Sequence, residues 1–203
     1  ALAALLAAQS GADVRREESN DLLELRYGWP AAVEAEPALR ARLEADMRQN
    51  LESARSVAGM GRELDRRTGA VAQSARPVIE IIWEVAGSTP RLISLFARNR
   101  GTDGGTTTVQ YLPMLWDRTA GIDLSMHTLI SDSAAERLQA RFCIAYDAAG
   151  NRQTCPSLEE GVLAPGDADG TGRLDTLRVI TEPQRAEPGP GDIVELRFEP
   201  GDL

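Results

Sequence analysis

Apolar residues recur along this chain with two periods, and the switches between them mark out its elements. Asp21 to Tyr27 alternates, with Leu23, Leu25 and Tyr27 on one face and Glu24 and Arg26 on the other, as a half-buried strand requires. Gly28-Trp29-Pro30 predicts its end. The period then lengthens: Leu39, Leu43, Met47 and Leu51, continued by Ala54 and Ala58, form one stripe of an amphipathic helix. Pro37 suits its first turn, where a missing N–H costs nothing. Gly59-Met60-Gly61 loosens or ends it, giving a helix over Pro37 to Ala58 and a polar connector from Arg62 to Arg76 that could begin with one more helical turn. Val78 to Ala86 alternates strongly, with Ile79, Ile81, Trp83 and Val85 on one face.

Two further strand-like runs, Leu92 to Arg98 and Thr106 to Trp116, flank the polar and glycine-bearing segment Asn99 to Gly105, which predicts a hairpin. The tight segment Asp117 to Gly121 and the short run Ile122 to Leu124 extend it as a meander. Ser133-Ala134-Ala135-Glu136 matches a capping box, and Leu138, Phe142 and Tyr146 recur every four residues, predicting a helix over Ala134 to Ala148. Arg173 to Thr181 and Ile193 to Phe198 alternate again and are expected to close the sheet. Between them, Glu182 to Gly191 is a proline- and glycine-rich loop that could shape a binding edge. The expected fold is α+β: a mostly antiparallel, meandering sheet covered by one long and one shorter helix.

Composition narrows the chemistry. With 203 residues, 42% of them hydrophobic, the chain suffices for one substantial core. The expected organisation is an export-signal remnant at 1–12, a linker at 13–20 and a single domain at 21–203. The opening ALAALLAAQSGAD is apolar and ends in small residues suited to signal peptidase, but is shorter than the roughly 20 apolar residues a bilayer span needs. A fraying N-terminal helix is the alternative. The basic residues are all arginine, so Schiff-base chemistry and lysine-bearing phosphate loops are excluded. A net charge of -9 disfavours nucleic acid and favours basic partners or cations. No cofactor is expected, because Gly59-x-Gly61 lacks the strand and third glycine of a dinucleotide motif.

Cys143 and Cys155, twelve apart in an apparently exported chain, predict a disulfide; a buried thiol and a catalytic thiolate are the other readings. Asp167, Asp169, Thr171 and Asp175 occupy the first, third, fifth and ninth positions of a calcium loop with Gly172 at the sixth, yet position twelve is Arg178 rather than a bidentate acid. An acidic turn before a strand is the competing reading. His127 is the only histidine, so an envelope hydrolase would have to use it with Ser125, Asp123 or Asp132, although no nucleophile elbow surrounds any serine. Glu80 and Glu84, four residues apart along a strand, stand about 13 Å apart, too far for a glycosidic carboxylate pair.

Tyr27-Gly28-Trp29-Pro30 after a strand, a long helix, Trp83 in a strand, Ile93-Ser94-Leu95, Met114-Leu115-Trp116-Asp117-Arg118, and Phe142-Cys143 answered by Cys155-Pro156 follow one order. That order resembles the envelope domains of unknown function found in the extracellular part of a lysozyme-sensing anti-sigma factor and beside the catalytic domain of a peptidoglycan deacetylase. Where that family reads Gly-Gly-Ala-His, this chain reads Asp103-Gly104-Gly105-Thr106-Thr107, without the histidine. The resemblance implies an α+β domain, export, and a non-catalytic sensing or binding role toward a protein such as lysozyme or a cell-wall component. The candidate binding residues are Asn99, Arg100, Asp103, Gly104, Gly105, Thr106 and Thr107 at the hairpin turn.

Overall fold

The computed structural model describes residues 14–21, 23–68, 76–103, 106–126, 129–150, 154–181 and 193–198. The fold is α+β, with a six-stranded, mostly antiparallel sheet in the order β1-β2-β3-β4-β5-β6 and a three-stranded sheet in the order β7-β8-β9. The strands are β1 (Val14–Ser19), β2 (Glu24–Trp29), β3 (Val78–Ser88), β4 (Leu92–Asp103), β5 (Thr106–Asp117), β6 (Ile122–Leu124), β7 (Val162–Gly166), β8 (Thr176–Ile180) and β9 (Ile193–Arg197). The helices are α1 (Pro37–Thr68) and α2 (Asp132–Ala148). The chain divides into two compact units, residues 1–83 with 101–106 and residues 84–100 with 107–203. No helix among the described residues is long and apolar enough to cross a membrane.

In the first unit β1 pairs antiparallel with β2, while β2 and β3 run parallel, Glu24 opposite Val78 and Gly28 opposite Ile82. The parallel pair follows from the intervening helix, which returns the chain to the end of the sheet where β2 began. Leu39 and Leu43 of α1 are fully buried, and Ala54 packs with Leu23 and Leu25. A polar chain runs through this core. The Trp83 Nε1–H donates to the Tyr27 hydroxyl (2.7 Å), which donates in turn to Asp46 Oδ2 on α1 (2.8 Å). Burial, and then the negative charge of Asp46, push the Tyr27 hydroxyl well above its ordinary pKa.

Three expectations need correction here. The segment read as a linker, 13–20, contains β1; its polar residues conceal a strand because β1 lies at the sheet's edge, where Glu18 can stay in solvent and pair with Arg55. Gly28 and Trp29 do not end β2 but lie within it. The long helix does not stop at Ala58: it passes through Gly59 and Gly61 to Thr68. Glycine weakens a helix by about 1 kcal/mol relative to alanine but keeps its N–H, so the backbone ladder continues. Toward this end of the helix Val57, Met60 and Leu64 are 61%, 63% and 61% exposed.

The second unit is layered. Val162 and Ile180 pack with Val109 and Tyr111 of β5, whereas Leu163, Leu177, Val179, Val194 and Leu196 meet Leu138, Phe142 and Tyr146 of α2. The three-stranded sheet therefore buries both faces, and every residue of β7 is buried. The two C-terminal strands do not close the first sheet, as their alternation suggested; they join β7 in a sheet of their own. β7 escapes sequence reading because Pro165 and Gly166 look like strand breakers. Its end approaches β3 closely: a Cβ on Gly87 would stand 2.7 Å from the Leu174 side chain and 2.9 Å from the backbone at Gly166 and Asp167, so only glycine fits.

Candidate functional site

The expected binding turn is mostly strand. β4 continues to Asp103 and β5 resumes at Thr106, so Asn99, Arg100, Asp103, Thr106 and Thr107 are ladder positions. Polar side chains do not oppose this, since β-branched Thr102, Thr106, Thr107 and Thr108 favour extended backbone. Gly104 and Gly105 lie outside the described residues, as does the side chain of Asp103. Arg100 and Thr106 are exposed. His127 and the loop 182–191 also lie outside the described residues, so the histidine-dependent hydrolase has no described centre.

Cys143 and Cys155 form the predicted disulfide, with Cα atoms 5.4 Å apart. It ties α2 to the segment leading into β7. Gln139, one turn before Cys143, holds the same segment: its Nε2 donates to the Pro156 carbonyl (3.0 Å) and its Oε1 accepts from the Leu158 N–H (2.7 Å). The helix itself starts earlier than the Ser133 box suggested, with Ser131 as its N-cap accepting from the Ala134 N–H (3.4 Å). A capping box does occur, at Ser157 and Glu160.

The acidic loop gathers Asp167, Asp169 and Asp175, with one carboxylate oxygen from each within 4.8 Å of the others. These carboxylates serve the loop's own backbone. Asp167 accepts from the N–H groups of Thr171 (3.0 Å) and Gly172 (2.8 Å), Asp169 from Thr171 (3.0 Å), and Asp175 from Ala168 (2.8 Å). The Thr171 hydroxyl and N–H hold the Asp169 carboxyl below the usual carboxylate range. Arg178 at the twelfth position pairs with Glu195 (3.1 Å) and lies over the Phe96 ring at 5.2 Å. The loop thus has the carboxylate convergence of the sequence pattern but carries a cation where calcium loops place their bidentate acid.

A cleft of about 350 Å3 in the second unit was not legible in the sequence. Residues 113–115 of β5, residues 123–126, Gly161, and Leu163 and Pro165 of β7 line it. The cleft follows from where β6 ends. The β5–β6 register pairs Leu115 with Leu124 and Asp117 with Ile122; two residues further, Pro113 would stand opposite Met126. Proline has no N–H to continue the ladder, and β6 stops at Leu124. The turn before β6 is fixed by Asp117, whose Oδ1 accepts from the N–H groups of Thr119 (2.8 Å) and Ala120 (2.9 Å) and whose Oδ2 accepts from Arg91 Nε (2.9 Å). The Ala120 N–H, with Arg91 and the Thr119 N–H adding to it, keeps the Asp117 carboxyl below its ordinary range. Met114, Leu115, Met126 and Leu163 are 2–8% exposed, so little of their apolar surface faces the cleft. Among the described residues, Asp123 is the one charged group in the lining; its Oδ1 accepts from the Leu115 N–H (3.3 Å).

No family model matches this chain, and no curated protein does. Among solved structures it is similar to the crystal structure of a member of the DUF3298 family from Bacteroides fragilis. The TM-score is 0.51 and the identity 14%, over 92% of this chain and 88% of the other. At that identity the likeness is one of fold.

Proposed function

We propose that this chain is a non-catalytic binding or sensing domain of the bacterial envelope that engages a basic protein, such as lysozyme, or a cell-wall component. The observation that carries this reading is the acid excess of nine on a chain without lysine, which accelerates encounter with a cationic partner and weakens with added salt. The disulfide supports an oxidising compartment. The fold-level likeness is to a member of a domain-of-unknown-function family, and fold alone assigns no activity.

The test is a titration of the protein against lysozyme and against peptidoglycan fragments at low and high ionic strength. Lysozyme binding that weakens as the Debye length contracts from about 30 Å at 0.01 M to about 8 Å at 0.15 M supports the reading. Absence of binding to both, together with turnover of a glycan or ester that is lost in His127→Ala, replaces it with the hydrolase.

A further inference from the structure

The three-stranded sheet has one closed edge and one open edge. At β7 every residue is buried, Pro165 has no N–H, and the strand's end stands against Gly87 of β3. β9 forms the other edge, with Ile193, Glu195 and Arg197 exposed and Val194 and Leu196 buried on the side of α2. The Phe198 N–H donates to the Asp175 carbonyl (2.8 Å), and the β8–β9 register continues from that pair, so Phe198, Leu196 and Val194 turn their backbone groups toward β8. Alternation turns those of Ile193, Glu195 and Arg197 outward. The Arg197 carbonyl accepts from the Arg141 guanidinium of α2; among the described residues the other outward groups have no partner.

An open edge invites a further strand, and its side chains decide which. When β9 is set antiparallel to its own copy, registers centred on Glu195 or on Arg197 place like charges opposite each other, which is unfavourable. The register centred on Leu196 instead sets Glu195 of each copy opposite Arg197 of the other and joins them through their outward backbone groups. Glu195 can accept this second cation, because Arg178 engages only its Oε1 (3.1 Å) and its side chain is 54% exposed. The Arg197 side chain has no hydrogen-bond partner among the described residues. β1, an edge of the larger sheet, lacks this match: the register that would pair Arg15 with Glu17 sets Arg16 against Arg16.

We propose that β9 is the contact through which two copies of this chain associate, antiparallel and centred on Leu196, with Glu195 of each beside Arg197 of the other. Charge complementarity selects the copy, and the backbone ladder holds it. Five residues a side are far fewer than the roughly 20–30 of a stable interface, so the dimer is weak and reversible. Arg141 tunes it by competing for the Arg197 carbonyl. The proposal is independent of the envelope-binding reading.

The test follows sedimentation and the backbone amide shifts of the isotopically labelled protein from about 10 µM to about 1 mM, a range that spans weak association. The amides of residues 193, 195 and 197 are expected to move with concentration as the dimer forms. Glu195→Arg and Arg197→Glu, each alone, turn both ion pairs into like-charge pairs and are expected to weaken the dimer at least about tenfold. Mixed in equal amounts, they restore both pairs with the charges exchanged, and the dimer is expected to return. Arg141→Ala is expected to tighten it several-fold. A native protein that stays monomeric at about 1 mM, or a mixture no more dimeric than its components, overturns the proposal. So does lysozyme that shifts the same amides of a protein which is itself monomeric, since the edge then belongs to a basic partner. A dimer that forms as described while lysozyme and peptidoglycan fragments fail to bind removes the envelope-binding reading alone.

Discussion

The two helices are attached to their units by different chemistry. α1 docks through a stripe that fades along its length: Leu39 and Leu43 are fully buried, Ala54 nearly so, and from Val57 onward its large apolar residues face solvent. Its middle is fixed by a polar chain, Trp83 to Tyr27 to Asp46, with Asn50 also donating to Asp46 (3.1 Å). α2 has half the length and a continuous seam, with Leu138 and Phe142 fully buried, Tyr146 nearly so, and a disulfide at Cys143. The difference is one of directionality. Hydrogen bonds through a hydroxyl set the rotation and axial position of α1, whereas apolar burial and a covalent link set the strength with which α2 is held.

Phe142→Ala tests the seam most severely. Truncating a fully buried aromatic costs about 3–5 kcal/mol, read by chemical denaturation, and amide exchange is expected to accelerate in α2 and β9 rather than in α1. Equal acceleration in α1 would show that the two attachments are not separable. Cys143→Ser with Cys155→Ser comes next, with a loss of about 3 kcal/mol for a loop of this size; reducing agent should destabilise the native protein by the same amount and leave the double variant unaffected.

Tyr27→Phe leaves the Trp83 N–H without its acceptor and removes one of two donors to Asp46 Oδ2, the other being Asn50, at a cost of about 1–3 kcal/mol. It also carries a pH signature. The folded-state pKa of Tyr27 lies above its unfolded value of about 10, so its contribution is complete below that pH and is lost as pH rises beyond it toward the folded value. The native protein should therefore show a loss of stability in alkali that Tyr27→Phe lacks; identical alkaline profiles would mean that the hydroxyl is not coupled to folding. Leu64→Gln, on the exposed end of α1, should change stability by no more than about 0.5 kcal/mol. A larger loss would mean that this face is covered in solution.

Segments whose periodicity comes from apolar side chains were legible in the sequence: β3, β5, β8, β9 and the buried stretches of both helices. β1 was not, because an edge strand with charges on both sides has no apolar face to betray it. β7 was not, because proline and glycine in a short strand mimic a loop. The full extent of α1 is hidden because Gly59 and Gly61 resemble a helix end, although glycine keeps its N–H and the ladder continues through both. Site legibility divides by sequence distance. The acidic loop and the disulfide draw on residues within about a dozen positions, so their spacing carried the geometry. The cleft draws on Pro113, Met126 and Leu163, which approach one another only once β7 has been placed, and no local pattern announces it.

Gly87 has a consequence for how this sequence can drift. Its missing side chain is the clearance that lets the end of β7 close on β3, whereas a Cβ at Gly59 or Gly61 would meet nothing within 4 Å. In a library of random variants sorted for folded protein, position 87 should stay invariant while positions 59 and 61 fill with alanine. Three glycines that look alike in the sequence would then divide into one steric constraint and two unclaimed opportunities for stabilisation.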